Sequence, residues 1–198
     1  RMKVLVACEC SGRIRTAFRC AGHDAWSCDI KQYELMLTGD PGSHEYHIVD
    51  DVLNHLDEGW DMLIGHPPCT YLCRNRARLN EIENVEIDNS LFMKLWNANI
   101  EKICIENPVP SLKANLPRYT QIVQPYQFGH DHSKKTCLWL KNLPNLKPTK
   151  IVPVSYITTP NGHRYTKGWY NTPRNSTDRS RTFFGIACAM ADQWGKLQ

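Results

Sequence analysis

The chain begins with a regular alternation of short apolar runs and segments whose apolar positions recur at helical spacing. The runs predict buried strands and the segments between them predict helices. The first such segment has Ile14, Ala17 and Phe18 on one face and ends at Gly22. The predicted strands cover residues 3–9, 24–30, 45–52, 60–66 and 102–108, and the predicted helices cover residues 12–22, 88–100 and 184–197.

Strands that alternate with helices predict an α/β fold with a doubly wound, mostly parallel sheet. After about residue 118 the pattern changes, and the runs TQIVQPYQF and KKTCLWL predict a late antiparallel strand pair. Residues 141–182 are rich in Pro, Asn, Thr and Lys and show no clear periodicity. We therefore expect a single domain over 1–198, in which 141–182 form an irregular basic insertion.

The composition is typical of a soluble globular protein. With 41% hydrophobic residues the chain can bury a sizeable core. It contains nothing that resembles a signal peptide and no apolar run long enough to span a bilayer, so we expect a soluble, cytoplasmic protein without a membrane partner. Its nine cysteines are an odd number spread along the chain, which does not indicate a disulfide framework.

Positive charge is concentrated late in the chain. Between residues 141 and 183 there are eight Lys or Arg residues and one acid, Asp178, together with several aromatic residues. Cations that meet phosphates and rings that stack on bases suit a nucleic-acid surface. A solvated basic loop explains this feature equally well.

Polar residues follow each predicted strand. The first strand ends in CECSG, the second in Asp29, the third in Asp50-Asp51, the fourth in HPPC and the fifth in ENP. In a doubly wound sheet, ligands lie beyond the carboxyl ends of the strands. These strand ends therefore predict a binding site.

The first three strand ends have the pattern of a nucleotide-like cofactor site. The loop CECSGR precedes a predicted helix, and Asp29 stands where an acid can accept ribose hydroxyls. Gly12 is the single glycine of the loop, which speaks against a pyrophosphate cofactor such as NAD and is compatible with S-adenosylmethionine (SAM). Asp51 stands where an acid could bond an adenine amino group. An ordinary turn and surface acids are the alternative.

The fourth and fifth strand ends suit covalent catalysis. Pro67 and Pro68 cannot donate ladder hydrogen bonds, so they end the strand and hold Cys69 at the rim of the sheet, as a nucleophile would be displayed. Glu106 lies near the end of the neighbouring strand, and we expect its carboxyl group near Cys69, where it can hold or deliver a proton. A thiol beside such a group suits attack on C6 of a pyrimidine, which makes C5 nucleophilic enough to take a methyl group.

Histidine and cysteine pairs do not form a metal site in this pattern. His130 and His132, Cys8 and Cys10, and Cys69 and Cys73 are close in sequence, but they do not form paired sets at zinc-finger spacing. We therefore expect no metal. His66 could act near the thiol or be an ordinary hydrogen-bonded histidine.

At this point the sequence resembles the DNA (cytosine-5) methyltransferases, and more closely their short phage and prophage-type relatives. GHPPCT and IENPVP stand where that family has its nucleophilic Cys and its Glu, SKKTCLWL stands where an arginine-rich motif contacts the flipped base, and FGIACAMADQWG is similar to the last helix. The resemblance implies a Rossmann-like fold, methyl transfer from SAM to cytosine in double-stranded DNA, and a bacterial or phage-infected host cell. It implies catalytic roles for Cys69, Glu106, Lys134 and Lys135, and a SAM pocket lined by Glu9, Gly12, Asp29, Asp51 and Pro67.

The resemblance also implies a DNA surface. The segment TYLCRNRARLNE matches a loop that closes over DNA and helps to flip the base. The expected DNA-binding residues are Arg74, Arg76 and Arg78 in this loop, and Arg164 and Lys167 in the basic insertion.

The chain departs from the family in three ways. Its first loop keeps one glycine, and Thr70 and Pro108 replace a usual Gln and Val. Only residues 141–182 are available where the family has a target-recognition domain, so specificity is expected to be weak, supplied by a partner protein, or irrelevant because the substrate is small. Two alternatives remain open: an enzyme of the same fold that modifies a free pyrimidine nucleotide, and a catalytically inactive DNA-binding protein.

Overall fold

The computed structural model describes residues 1–32, 43–173 and 175–197. Its strands are β1 (Lys3–Ala7), β2 (Asp24–Asp29), β3 (His47–Val49), β4 (Met62–Gly65), β5 (Lys102–Pro108), β6 (Gln121–Val123), β7 (Thr136–Lys141), β8 (Tyr156–Thr158) and β9 (Arg164–Thr166). Its α-helices are α1 (Arg13–Cys20), α2 (Ala77–Ile82), α3 (Ser90–Trp96), α4 (Lys167–Asn171), α5 (Ser176–Ser180) and α6 (Phe184–Trp194).

The main sheet has seven strands in the order β3-β2-β1-β4-β5-β7-β6. Strands β1 to β5 pair in parallel, whereas β7 runs antiparallel to both β5 and β6. This arrangement confirms the predicted doubly wound, mostly parallel sheet and its late antiparallel pair. A separate antiparallel sheet, β8-β9, lies within the segment 141–182.

Both faces of the main sheet are covered, and successive residues of each strand point to opposite faces. On one face Val4, Ile64 and Leu138 pack with buried residues of α1 and α6. On the other face Leu5 and Leu63 pack in a second core with buried residues of α3. The near-continuous apolar runs of the sequence therefore reflect strands that are buried on two sides.

Most element boundaries are tighter than the sequence pattern predicts. The strand expected over 45–52 is limited to His47–Val49, because 43–46 form a 3-10 turn and Asp51 caps another with its side chain. The helix expected over 88–100 covers Ser90–Trp96. The pattern predicts none of the short elements α2, β8, β9, α4 and α5, which lack a long apolar period.

The antiparallel direction of β7 matters for the site. Its first residue, Thr136, pairs with Pro108, the last residue of β5. The segment that leads into β7 therefore lies at the carboxyl edge of the parallel strands, together with the residues that follow β4 and β5. Among the described residues, no helix is long and apolar enough to cross a membrane.

Candidate active site

A cavity of about 550 Å³ opens at the carboxyl edge of the sheet. Its volume falls in the range of small-molecule sites, roughly 300–1,000 Å³. It is walled by the ends of β1, β2, β4 and β5, by the start of β7, and by α5. The sequence-predicted site residues that line it are Asp29, Asp51, Pro67, Cys69, Glu106 and Lys134.

Cys69 is held by a rigid local structure. Gly65 ends β4 where an added Cβ would lie 3.0 Å from Ile105 Cδ1, so the strand ends against tightly packed neighbours. Pro67 and Pro68 follow, and the carbonyl of Cys69 then accepts hydrogen bonds from the N–H groups of Leu72 (3.0 Å) and Cys73 (3.1 Å). The thiol is therefore presented at the start of a turn, on the wall of the cavity.

Burial of Cys69 favours its neutral thiol over the thiolate. Burial is the main cause that raises its pKa, the neighbouring Cys73 and the carboxylate of Glu106 also raise it, and the ammonium of Lys134 opposes them. A neutral thiol is a weak nucleophile, so attack requires that the proton leave when substrate is bound.

Glu106 lies on the same wall and is 8% exposed. Thr182 Oγ1 donates a hydrogen bond to its Oε2 at 3.2 Å, and Nδ1 of His66 lies 3.5 Å from the same oxygen. The sequence pattern does not identify Thr182, since it is 76 residues away from Glu106 and no local feature joins them. Two nearby buried atoms, His66 Nε2 and Asn107 Nδ2, have no hydrogen-bond partner among the described residues.

The opposite end of the cavity is acidic. Asp29 accepts a hydrogen bond from the N–H of Lys31 (2.9 Å), and Asp51 accepts one from the N–H of Leu53 (3.0 Å). In each residue the second carboxylate oxygen has no hydrogen-bond partner within the described part of the chain. Each can therefore accept a bond from a ligand hydroxyl or amino group. Asp50, which lines this end as well, has its pKa lowered mainly by the backbone N–H of Asp51.

Glu9 and Gly12 lie away from the cavity wall. The carboxylate of Glu9 accepts hydrogen bonds from the N–H groups of Ile14 (3.0 Å) and Arg15 (3.5 Å), so it caps the N-terminus of α1. Gly12 precedes that helix with φ of 66°, a left-handed conformation that suits glycine. This arrangement does not support the expected direct contact of either residue with a cofactor.

Cysteines take the place of those residues on the wall. Cys8 and Cys10 line the cavity where the first loop passes it. Cys8 has φ of 57°, which is uncommon outside glycine. Burial raises its pKa to about 12, with smaller contributions from Asp29, Cys28 and Asp51, so it presents a neutral thiol. The sequence pattern does not single out either cysteine as part of the site.

The expected basic residues divide into two groups. Lys134 lines the cavity, whereas Lys135 is exposed and does not line it. Arg179, which no feature of the sequence pattern identifies, joins Lys134 on the wall from α5. The basic charge of the segment 141–182 indicates that this segment supplies positive charge to the site, but it does not identify which cation lines the cavity.

The other predicted nucleic-acid contacts lie outside the cavity wall. Arg74 and Arg78 are exposed near α2, and Arg76 forms an ion pair of 2.6 Å with Glu83. The guanidinium of Arg164 lies 4.0 Å from the ring centroid of Tyr156 in the β8-β9 hairpin. The exposed Lys167 begins α4. Residues 1–32, 43–173 and 175–197 contain no group of three or more His, Cys, Asp or Glu that could hold a metal ion.

No protein-family model and no curated protein matches the chain. Solved structures similar to it include the following two. One is described as a DNA modification methyltransferase encoded within an E. coli prophage (15% identity, TM-score 0.48, covering 78% of this chain and 53% of that one). The other is a triple mutant of DNMT2 from Spodoptera frugiperda (16% identity, TM-score 0.43, covering 77% of this chain and 54% of that one). The chain spans about half the length of either, and likenesses this distant carry no argument about activity.

Proposed function

We propose that this protein is a SAM-dependent methyltransferase that acts on C5 of cytosine in DNA, with Cys69 as the nucleophile and weak sequence specificity. The observation that carries the proposal is the meeting of Cys69, Glu106 and Lys134 on one wall of the cavity that also contains Asp29 and Asp51. These residues come from separate strand ends, and each has the chemistry that its proposed role requires.

The acidic end fits SAM. The oxygens of Asp29 and Asp51 that lack partners among the described residues suit the ribose hydroxyls and the adenine amino group, and Pro67 forms part of the apolar wall between them and the thiol. SAM, when bound, supplies an electrophilic methyl group. The single glycine of the first loop is compatible with this ligand, because SAM has no pyrophosphate to bind.

The chain's own residues would prepare the base. The thiol of Cys69 gives its proton to water and the thiolate adds to C6. The electron pair of the C5–C6 double bond then makes C5 nucleophilic. Glu106, held by Thr182, contacts N3 and the exocyclic amino group and keeps a proton at N3 as charge develops in the ring. Lys134 lowers the pKa of the thiol and supports the base from the basic end of the cavity. After methyl transfer a water molecule takes the C5 proton, and the electron pair of that C–H bond re-forms the C5–C6 double bond. The Cys69–C6 bond then breaks to release the thiolate, and the proton at N3 returns to Glu106.

The decisive test is transfer of labelled methyl groups from SAM to double-stranded DNA, followed by digestion and nucleoside mass analysis. We expect label in 5-methylcytosine with the native protein and none with Cys69→Ser. Cys188→Ser, which changes an exposed cysteine, is the matched control and should keep the activity. Label in another nucleoside, or equal activity of Cys69→Ser, would refute the proposal.

A free pyrimidine nucleotide is the second candidate substrate. It is favoured by the small size of the segment between β7 and α6, which in the described residues contains one hairpin and two short helices. The same assay with deoxycytidine 5′-monophosphate distinguishes the two. Binding to DNA that weakens steeply with salt would favour DNA.

A further inference from the structure

A second, smaller cavity of about 100 Å³ adjoins the basic wall of the main one. Lys134 and Arg179 line both cavities, so the two spaces meet at these side chains. The smaller cavity lies between the start of α1, the segment that leads into β7, and the helices α4 and α5. It is distinct from the acidic end at Asp29 and Asp51.

The smaller cavity is strongly basic. Four cationic residues line it, namely Arg13, Lys134, Arg179 and Arg181, against one acid, Asp178. The acid is already compensated, because it is paired with Arg181 and accepts a hydrogen bond from Asn175 Nδ2 at 2.6 Å. The remaining charge at the junction of the cavities is positive.

Arg179 is oriented for an anion. Its guanidinium lies 4.0 Å from the ring centroid of Trp169, and its Nε donates to the carbonyl of Pro173 at 3.2 Å. Neither of its two Nη groups has a hydrogen-bond partner among the described residues. Two adjacent Nη groups held in a plane match the oxygens of a phosphate.

Lys134 completes the junction. Its Nζ donates to the carbonyl of Arg179 at 2.8 Å, which uses one of three available donors. The bond joins Lys134 to the backbone of α5, and Lys134 and Arg179 both line the two cavities. A phosphate at the junction would therefore meet an ammonium and a guanidinium at once.

We infer that the junction of the two cavities binds the phosphate of the target nucleotide, through Arg179 and Lys134. The inference rests on the proposed function, since it requires a pyrimidine in the main cavity beside Cys69. It specifies the substrate class as a phosphorylated pyrimidine nucleotide, whether its phosphate belongs to a free nucleotide or to a DNA strand. The acidic end of the cavity repels a phosphate, so the nucleotide can bind in one direction only.

Calorimetric binding of three probes to the full chain tests the inference: inorganic phosphate, deoxycytidine and deoxycytidine 5′-monophosphate. We expect the monophosphate to bind at least about tenfold more tightly than the nucleoside, as charge-assisted bonds to a phosphate require. Arg179→Gln and Lys134→Gln should each remove most of this preference, and Arg179→Lys should restore part of it. Lys147→Gln removes one exposed positive charge of the same segment and should leave the preference unchanged.

Equal binding of nucleoside and monophosphate by the native protein would overturn the inference. A preference that survives in Arg179→Gln and in Lys134→Gln would overturn it as well. Using both variants keeps the test decisive if one of them does not fold, and thermal melting identifies that case. Displacement of the monophosphate by a single-stranded oligonucleotide distinguishes the two sources: competition indicates a site for DNA phosphates, and its absence indicates a site for a free nucleotide.

The result is separable from the proposed function because phosphate binding is measured without methyl transfer. If the protein methylates cytosine but its preference for the monophosphate is unchanged in Arg179→Gln, the proposed function is correct and the phosphate site is wrong. A preference for the monophosphate that depends on Arg179, in a protein that does not methylate cytosine, would support the phosphate site and refute the proposed function.

Discussion

The two ends of the cavity have opposite charge and different structural origins. The acidic end is formed by Asp29, the last residue of β2, and by Asp51, which lies just after β3, and backbone N–H groups hold both side chains. The basic end is carried by Lys134, which precedes the antiparallel β7, and by Arg179 from the short helix α5. The topology of the sheet therefore places the acidic end. The basic end depends on how the segment 141–182 packs against the sheet.

Glu106 stands between the two ends, and its loss should have the largest effect. Glu106→Gln keeps the shape but cannot hold the proton at N3, so we expect methyl transfer to fall about 10²- to 10⁴-fold. Thr182→Val removes only the hydrogen bond to Oε2 and should cost about fivefold. Single-turnover kinetics with saturating SAM and DNA measure both. Equal losses in the two variants would mean that Glu106 acts through its placement alone.

Asp29 tests the acidic end by itself. We expect Asp29→Asn to weaken SAM binding roughly tenfold, because a charged acceptor of ribose hydroxyls becomes a neutral one. Deoxycytidine 5′-monophosphate should bind as before, and calorimetry with each ligand gives the two affinities. Asp57→Asn removes an exposed carboxylate outside the cavity and is the matched control. If Asp29→Asn also lost nucleotide binding, the acidic and basic ends of the cavity would not act as separate binding sites.

Glu9 decides whether the first loop contacts the cofactor or only supports a helix. Because its carboxylate caps α1, Glu9→Ala should lower the free energy of unfolding by about 1–2 kcal/mol. SAM affinity should be unchanged at temperatures where the variant is folded. Urea denaturation and calorimetry measure the two quantities. A variant of native stability that no longer binds SAM would support the direct contact of Glu9 with SAM that the family resemblance implies.

Lys134 should shift the reactivity of Cys69 by a smaller amount. Burial raises the pKa of this thiol and Lys134 lowers it, so Lys134→Gln raises the pKa further. The thiolate then forms at higher pH, and alkylation by iodoacetamide at a given pH slows. Peptide mass analysis of Cys69 from neutral to alkaline pH gives the profile. Lys135→Gln is the control, since Lys135 does not line the cavity, and an identical shift in both variants would exclude a specific effect of Lys134.

The predicted residues at the ends of the parallel strands line the cavity more often than those in the late part of the chain. Cys69, Glu106, Asp29 and Asp51 could be selected from the sequence because each follows an apolar run, and the carboxyl ends of parallel strands meet at one edge. Glu9 also follows such a run, yet its side chain turns to the N-terminus of α1. A strand end identifies the loop that reaches the site, but not which side chain of that loop faces it.

The spatial neighbours of residues after about 130 were the hardest part of the structure to predict from the sequence. Arg179 and Thr182 lie in a segment without hydrophobic periodicity, so their spatial neighbours cannot be deduced from spacing. Lys134 and Lys135 are adjacent in sequence, and only the packing of the segment before β7 decides that the first faces the cavity and the second faces solvent.

The sequence by itself determined the order of the main-sheet strands and of α1, α3 and α6, the doubly wound sheet and the polar residues at its carboxyl edge. These follow from local periodicity and from proline and glycine at strand ends. Only the tertiary structure decided which cations enter the cavity, which carboxylate caps a helix, and that Thr182 reaches Glu106 across 76 residues. The physical reason is that these contacts depend on long-range packing, which no local pattern of side chains encodes.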